Sequence, residues 1–193
     1  GLLDDYGMVG LYFWEAGARC FYTTSKPIRS VEDLKGMKIR VQQTEVAISM
    51  VRALGAEATP MDYAEVFQGL QTGIVDGAEN DFVSYYTSGH YEVAKYYSLD
   101  QHMAPPAVLL MSKASWDKMT EAQQEAVRKA AYEAAVWQRQ AMQDYQLESR
   151  AACEAAGCEI IEVDVPSFQA AVASVYDEYP QYKTIVDMIN AVE

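Results

Sequence analysis

Apolar and polar positions along this chain follow two alternating periods, and each change of period marks an element. Met8 to Trp14 is a nearly continuous apolar run, and Arg19 to Thr24 is aromatic and β-branched. Both predict strands, joined through Glu15-Ala-Gly17-Ala. Ser30-Val-Glu-Asp-Leu predicts a single helical turn, with Ser30 as N-cap and Asp33 completing a capping box. Lys35-Gly36 ends that turn, and Met37 to Val41 read as a short apolar strand. Side chains in a strand face opposite ways in turn, so Met37, Ile39 and Val41 share one face while Lys38, Arg40 and Gln42 share the other.

The period then becomes helical. Thr44 caps an expected helix from Glu45 to Leu54, with Val46, Met50, Val51 and Leu54 on one side and Gly55 as the stop. Ala58 to Met61 is extended around Pro60. Asp62 caps a helix over Tyr63–Thr72, Gly73 ends it, and Ile74 to Ala78 predicts a strand followed by Glu79-Asn80-Asp81. Asp81 to Ser88 reads as helix and His90 to Asp100 in part as strand. Gln101 to Pro106 is a crossing segment whose double proline marks a hinge, and Ala107 to Met111 is a further strand. Thr120-Glu-Ala-Gln123 is a capping box opening a run with no Pro or Gly up to Ala156. That run is one helix of roughly 54 Å, or two helices with an unmarked bend. Gly157 stops it, Cys158 to Val163 predicts a strand, Ser167 caps a helix through Tyr176, and Tyr182 to Val192 forms a last helix after Pro180. Alternating strands and helices predict an α/β fold with βαβ units. In such sheets ligands collect beyond the carboxyl ends of strands, and both Arg40-Val41-Gln42 and Glu79-Asn80-Asp81 lie at such ends.

Composition narrows the chemistry. The net charge of −13 excludes a nucleic-acid partner, which demands a basic surface. No apolar run is long enough to span a bilayer, and Gly1-Leu-Leu-Asp-Asp-Tyr has neither the basic start nor the apolar stretch of a signal peptide. Of three cysteines, Cys153 and Cys158 meet across the end of a helix or remain small buried thiols. Two histidines and no CxxC pattern give no metal site. The sequence has no GxSxG, GxGxxG, Walker or HExxH motif. Asp76, Glu79 and Asp81 crowd into one tight segment, whereas paired catalytic carboxylates come from separate elements. Recognition is therefore expected rather than catalysis. A guanidinium in a half-buried strand needs a counter-charge, because an unpaired buried charge is costly. Arg40 is thus expected to clamp an anionic ligand wherever the chain's own carboxylates do not reach it. Arg19 is a second cation at a strand start, where a surface ion pair is the competing role.

Ser25-Lys-Pro-Ile-Arg-Ser-Val-Glu-Asp-Leu-Lys-Gly-Met-Lys-Ile-Arg-Val, Ala-Leu-Gly-Ala at 53–56, Thr59-Pro-Met and Glu65-Val-Phe-Gln-Gly-Leu-Gln-Thr-Gly-Ile-Val-Asp-Gly-Ala-Glu-Asn80 form an ordered set. Together they resemble the substrate-binding protein of tripartite ATP-independent periplasmic (TRAP) transporters over nearly the whole chain. The resemblance implies an α/β, periplasmic-binding-protein-like, two-lobed fold with a long spine helix and an incomplete first lobe. Residues 1–17 would end lobe I and reach the hinge, 18–103 form lobe II, 104–119 return to lobe I, 120–156 make the spine, and 157–193 pack on both lobes. It also implies a periplasmic component; with the empty motif search, no enzyme, cofactor or metal site is expected. Such a protein binds a small organic acid, a sugar acid such as a uronate ahead of a C4-dicarboxylate, and delivers it to membrane permease subunits. A ligand-sensing module of the same fold is the alternative. By the same resemblance Arg40 is the carboxylate clamp and Arg19 a second arginine, although the stretch between them is one residue longer than in sialic-acid binders. Asn80 faces the ligand with Glu79 before it, Tyr63 lines the pocket, His102 stands at a histidine position, and Gln42 shares the strand face of Arg40. The family carries a long stretch ahead of this chain's first residue, so the sequence resembles a C-terminal fragment. Its unpaired edge and bared apolar face are expected to favour self-association.

Overall fold

Two β-sheets of unequal size, bridged by one long helix, make up the computed structural model, which describes residues 3–192. The strands are β1 (Met8–Trp14), β2 (Arg19–Thr23), β3 (Lys38–Val41), β4 (Glu57–Pro60), β5 (Gly77–Asn80), β6 (Tyr96–Met103), β7 (Ala107–Ser112) and β8 (Glu159–Ile161). The helices are α1 (Glu45–Ala53), α2 (Val66–Thr72), α3 (Phe82–Thr87), α4 (His90–Val93), α5 (Lys113–Trp116), α6 (Glu121–Ala155), α7 (Val165–Ala171), α8 (Val175–Glu178) and α9 (Lys183–Asn190). The larger sheet runs β4-β3-β5-β2-β6-β8, with β2 antiparallel to both its neighbours and the other strands sharing one direction. β1 and β7 pair antiparallel as a separate ribbon.

Local sequence explains most of this. Thr44 accepts from the Ala47 N–H at 3.3 Å and starts α1. The Asp33 carboxylate accepts from the Arg29 and Ser30 N–H groups, each at 3.0 Å, and tightens the 3-10 turn Val31–Leu34. Ile39 and Val41 join Phe21, Leu34, Met50, Val51 and Phe168 in a core on one side of the large sheet. Cys20, Tyr22, Tyr85, Tyr97, Leu70, Val75 and Cys153 fill the other side. Each fully buried aliphatic side chain of this kind contributes about 1.5–3 kcal/mol.

Several boundaries depart from the sequence pattern, α2 starting at Val66 after a 3-10 turn rather than at Tyr63 and β8 covering only Glu159–Ile161 among them. β5 begins at Gly77, not Ile74, because Ile74 to Asp76 complete the turn out of α2 and Asp76 closes the ends of two strands. Its carboxylate accepts from Lys38 N–H at 2.8 Å and its carbonyl from Thr24 N–H at 3.0 Å. Glu79 and Asn80 are consequently strand residues. A Cβ at Gly77 would lie 2.6 Å from the Tyr22 carbonyl, so this strand approaches β2 more closely than a side chain permits. The helix expected from Ser167 starts at Val165 instead and breaks after Ala171, since Pro166 is well tolerated in a first turn. The segment expected to be strand-like from His90 opens with the short helix α4 before β6 begins.

The long run is one helix. In α6 the Thr120 N–H donates to Gln123 Oε1 at 2.8 Å while Gln123 N–H donates to Thr120 Oγ1 at 3.3 Å. Its length of about 52 Å lets it pack against β1 of the ribbon and against α3 beside the large sheet. The buried residues are correspondingly small and fall in two groups, Ala131 and Ala135, then Ser149 and Cys153. The chain crosses between the sheets at Glu15–Ala18 and again at 104–106. The Glu15 N–H donates to Gln138 Oε1 of α6 at 2.9 Å, and Gln138 Nε2 donates back to the Glu15 carbonyl at 2.8 Å.

Candidate functional site

Four strand ends meet at one edge of the large sheet. β3 and β5 bring their carboxyl ends, with Arg40, Glu79 and Asn80. β2 runs the other way and brings its first residue, Arg19. β6 brings Asp100 and His102 through a bulge, in which Arg19 pairs with Met103 but Phe21 already pairs with Ser98. Gln101 sits inside that bulge at φ 48°, a left-handed conformation unusual for a residue with a side chain. Beside the bulge the Asp100 carboxylate accepts from the Phe21 N–H at 2.9 Å.

Arg19 is an internal ion pair, not a surface one. Its Nε donates to Glu79 Oε2 at 2.6 Å and Nη2 to Glu79 Oε1 at 2.9 Å, the two-pronged fit of a guanidinium to a carboxylate. Nη2 also donates to the Glu79 carbonyl at 3.0 Å and Nη1 to Asn80 Oδ1 at 2.8 Å. Burial alone would lower the Arg19 pKa, but the hydrogen bonds and charge of Glu79 raise it. Glu79 in turn faces His102 Nε2 at 3.4 Å, and His102 Nδ1 bonds Asp100. Burial pulls the His102 pKa down, and the two carboxylates override it and raise the value to about 9. Burial likewise works to raise Glu79, yet His102 and Arg19 hold it below the ordinary carboxylate value. Arg19, Glu79, His102 and Asp100 thus form a buried chain of alternating charge.

Arg40 stands outside that chain. It is 4% exposed, and Nε and Nη2 both donate to one acceptor, the Met61 carbonyl, at 3.0 and 2.7 Å. Its guanidinium carbon lies 5.8 Å from the centre of the Tyr63 ring. No carboxylate bonds it among the described residues, and its Nη1 donors meet no partner there. Among the described residues, the fully buried side-chain polar atoms that lack a partner are Trp14 Nε1 and Ser149 Oγ, and Arg40 Nη1 is not one of them. Burial is the largest influence on Arg40 and takes its pKa below the usual arginine value, against the fields of Tyr22 and Glu79.

The other expected residues divide around this point. Asn80 is buried, and its carboxamide oxygen accepts from Arg19 and from the Asp81 N–H at 3.0 Å. Its NH2 half therefore remains to donate. Tyr63 is 47% exposed, with only a long bond from its hydroxyl to the Ser84 carbonyl at 3.4 Å. Gln42 is exposed just beyond β3; its carbonyl accepts from the Thr44 N–H at 2.8 Å, and its side chain makes no hydrogen bond among the described residues. Glu79 and His102 are turned inward. The sequence pattern did not single out Tyr22, His90 or Met61. The Tyr22 hydroxyl and His90 Nδ1 share a hydrogen bond of 2.7 Å, and the Tyr63 ring meets His90 edge-on. Burial, then the Arg40 charge, lowers the His90 pKa to about 4, so this imidazole is neutral at pH 7. No signal for these residues lies nearby in the chain, apart from the helix punctuation at Gly89.

Two cavities flank the region without reaching Arg40. One of about 480 Å³ lies among α1, the end of β6 and the helices α8 and α9, and includes His102 and Met103. The other, about 200 Å³, lies beside Cys20, Gln101 and Arg150. Arg40 lies at the carboxyl end of β3, outside the lining of both.

A family model described as bacterial extracellular solute-binding protein, family 7, matches residues 2–182. A solute-binding protein of Chromohalobacter salexigens is 41% identical over 97% of this chain, which spans 57% of that protein. Among solved structures, a TRAP periplasmic solute binding protein from Xanthobacter autotrophicus with bound β-D-galacturonate superposes with a TM-score of 0.93 at 47% identity, covering 99% of this chain and 65% of its own. One from Chromohalobacter salexigens with bound D-glucuronate gives 0.95 at 39% identity, covering 99% and 65%. The chain therefore spans roughly three-fifths of the relatives it matches.

Proposed function

Because the chain belongs to the bacterial extracellular solute-binding protein family 7, we propose that it is the binding component of a TRAP transporter that captures a uronate. The single observation carrying this reading is Arg40, a buried guanidinium that no carboxylate of the described residues neutralises. A ligand carboxylate at its free Nη edge supplies the missing charge, in hydrogen bonds stronger than neutral ones. The Asn80 NH2 and the Tyr63 ring and hydroxyl stand ready for the sugar. Arg19, Glu79, His102 and Asp100 hold that wall rigid from behind. The uronates bound in the two solved relatives favour a sugar acid over a C4-dicarboxylate.

In this reading the large sheet is the body of one lobe, and the β1–β7 ribbon belongs to the other. The crossings at Gly17 and at 103–106 act as hinges, and α6 as the spine. Gly17 has φ 80°, and a Cβ there would meet Asp81 and Gln146 at 3.0 Å, so alanine at this crossing strains the closing motion. The protein works in the periplasm and hands its acid unchanged to membrane permease subunits. Among the described residues no helix is long and apolar enough to cross a membrane. Phe13, Val108 and Leu110 are exposed on the ribbon, and through them the chain by itself self-associates, which light scattering reads as a mass above the monomer.

Calorimetry with galacturonate and glucuronate tests the clamp on a protein spanning the full length of these relatives. Arg40→Ala is expected to weaken binding by about 2–5 kcal/mol, and the neutral parent sugars are expected not to bind. Unchanged affinity in Arg40→Ala refutes the clamp, and conversion of the acid to a new product would replace transport by catalysis.

A further inference from the structure

The carboxyl end of α6 carries two thiols that the site does not use. The helix closes with Ala156 as its cap, Gly157 in the left-handed conformation at φ 84°, and Cys158 beyond it. The Gly157 N–H donates to the Glu154 carbonyl and the Cys158 N–H to the Cys153 carbonyl, both at 3.0 Å. These two bonds define the Schellman motif, in which the third residue from the helix end and the second beyond the cap are folded into side-chain contact. Here both of those residues are cysteines. A disulfide needs Cα atoms about 4.4–6.8 Å apart. A straight helix would separate residues five apart by about 7.5 Å along its axis; the reversal at Gly157 instead turns Cys158 back so that its N–H bonds the Cys153 carbonyl at 3.0 Å.

We propose that Cys153 and Cys158 are an oxidisable pair, whose disulfide staples the end of α6 to the start of β8. Both are free cysteines in this structure, as is Cys20. They share one buried cluster at 0% and 8% exposure. Cys158 Sγ lies 3.3 Å from the Tyr85 hydroxyl and donates only a long bond, 3.6 Å, to the Tyr91 carbonyl. Losing that weak donor on oxidation disturbs little. Burial, with Cys158 adding to it, pushes the Cys153 thiol up to about 12. Cys153 is therefore a poor first attacker, and the more accessible Cys158 leads.

The oxidant is a disulfide of a small thiol or of a thiol oxidoreductase. The Cys158 thiolate attacks one of its sulfurs, breaking that S–S bond and expelling a thiolate that takes up a proton. Cys153 then attacks Cys158 Sγ in the mixed disulfide and expels the second thiolate, which takes up the other proton. Two protein thiols become one disulfide, and the oxidant's disulfide becomes two thiols, so atoms and electrons balance. Extracytoplasmic compartments favour such bonds, although the pairing itself is independent of what the Arg40 site binds.

The experiment incubates the chain with oxidised glutathione, with and without urea below the unfolding transition, which opens the cap locally. Intact mass, maleimide counting in denaturant and peptide mapping give the readout. The expected result is loss of two hydrogens and of two of three titratable thiols, faster in urea, with Cys153 linked to Cys158 and Cys20 free. Dithiothreitol restores all three, and Cys158→Ser shows no such loss. Three thiols persisting under both conditions, a lasting glutathione adduct without ring closure, or a bridge to Cys20 would each overturn the pairing.

Discussion

Arg19 and Arg40 face the same strand edge, are both buried, and differ in what neutralises them. Arg19 meets Glu79 with two prongs and sits in a chain of alternating charge through His102 to Asp100. Arg40 has one main-chain carbonyl and the face of Tyr63. A buried cation satisfied from within serves the architecture. One left with a dipole for its partner is stabilised further by any anion that reaches it. The lesson is that two arginines of similar burial are satisfied by different partners, a carboxylate for one and a main-chain carbonyl for the other, and the proposed function turns that difference into different roles.

The largest effect is expected from Glu79→Gln, which removes the carboxylate that, among the described residues, bonds Arg19. Urea denaturation should show a loss of about 3–5 kcal/mol, the usual consequence of leaving a buried charge unpaired. If stability is unchanged, Arg19 is not held as the geometry shows, and the contrast with Arg40 fails.

The second test is pH. His102 titrates near 9 in the folded protein, above the ordinary 6.5 or so of the unfolded chain. Its contribution is therefore fully present below about pH 6.5 and is lost as pH rises through 9, roughly 3 kcal/mol in all. His90, the only other histidine, is depressed to about 4, so stability also falls as pH drops from 6.5 toward 4. Thermal denaturation against pH should peak between these limits. His102→Gln should flatten the alkaline side, and His90→Gln should soften the acid side.

Arg40→Lys keeps the charge but loses the planar fork. Calorimetry should show uronate binding weakened by about 1.5–3 kcal/mol, with a smaller change in ligand-free stability than Glu79→Gln produces. A stability loss equal to that of Glu79→Gln would make the two arginines alike. The smallest effect belongs to Tyr63→Leu, which removes the ring beside Arg40 and should weaken binding by about 0.5–1 kcal/mol.

Much of the fold was legible from spacing. The caps at Thr44 and Thr120, the stops at Gly55 and Gly157 and the two-residue period of Lys38–Val41 depend on neighbours within a few positions. The start of β5 was not, because Asp76 bonds strands 38 and 52 positions away. Arg40 could be picked out from its own strand, whereas the fates of Arg19, Glu79 and His102 depend on the bulge around Gln101, which no local pattern announces.

The sequence by itself determined most of the segments that become helix or strand, several of their caps and stops, and which family the ordered motifs resemble, since each of these is a short-range property of backbone and side-chain period. Only the tertiary structure decided which buried cation is neutralised and which remains open. That outcome requires Arg19 to meet a carboxylate 60 residues away, through a strand register and a bulge that exist only once the sheet has assembled.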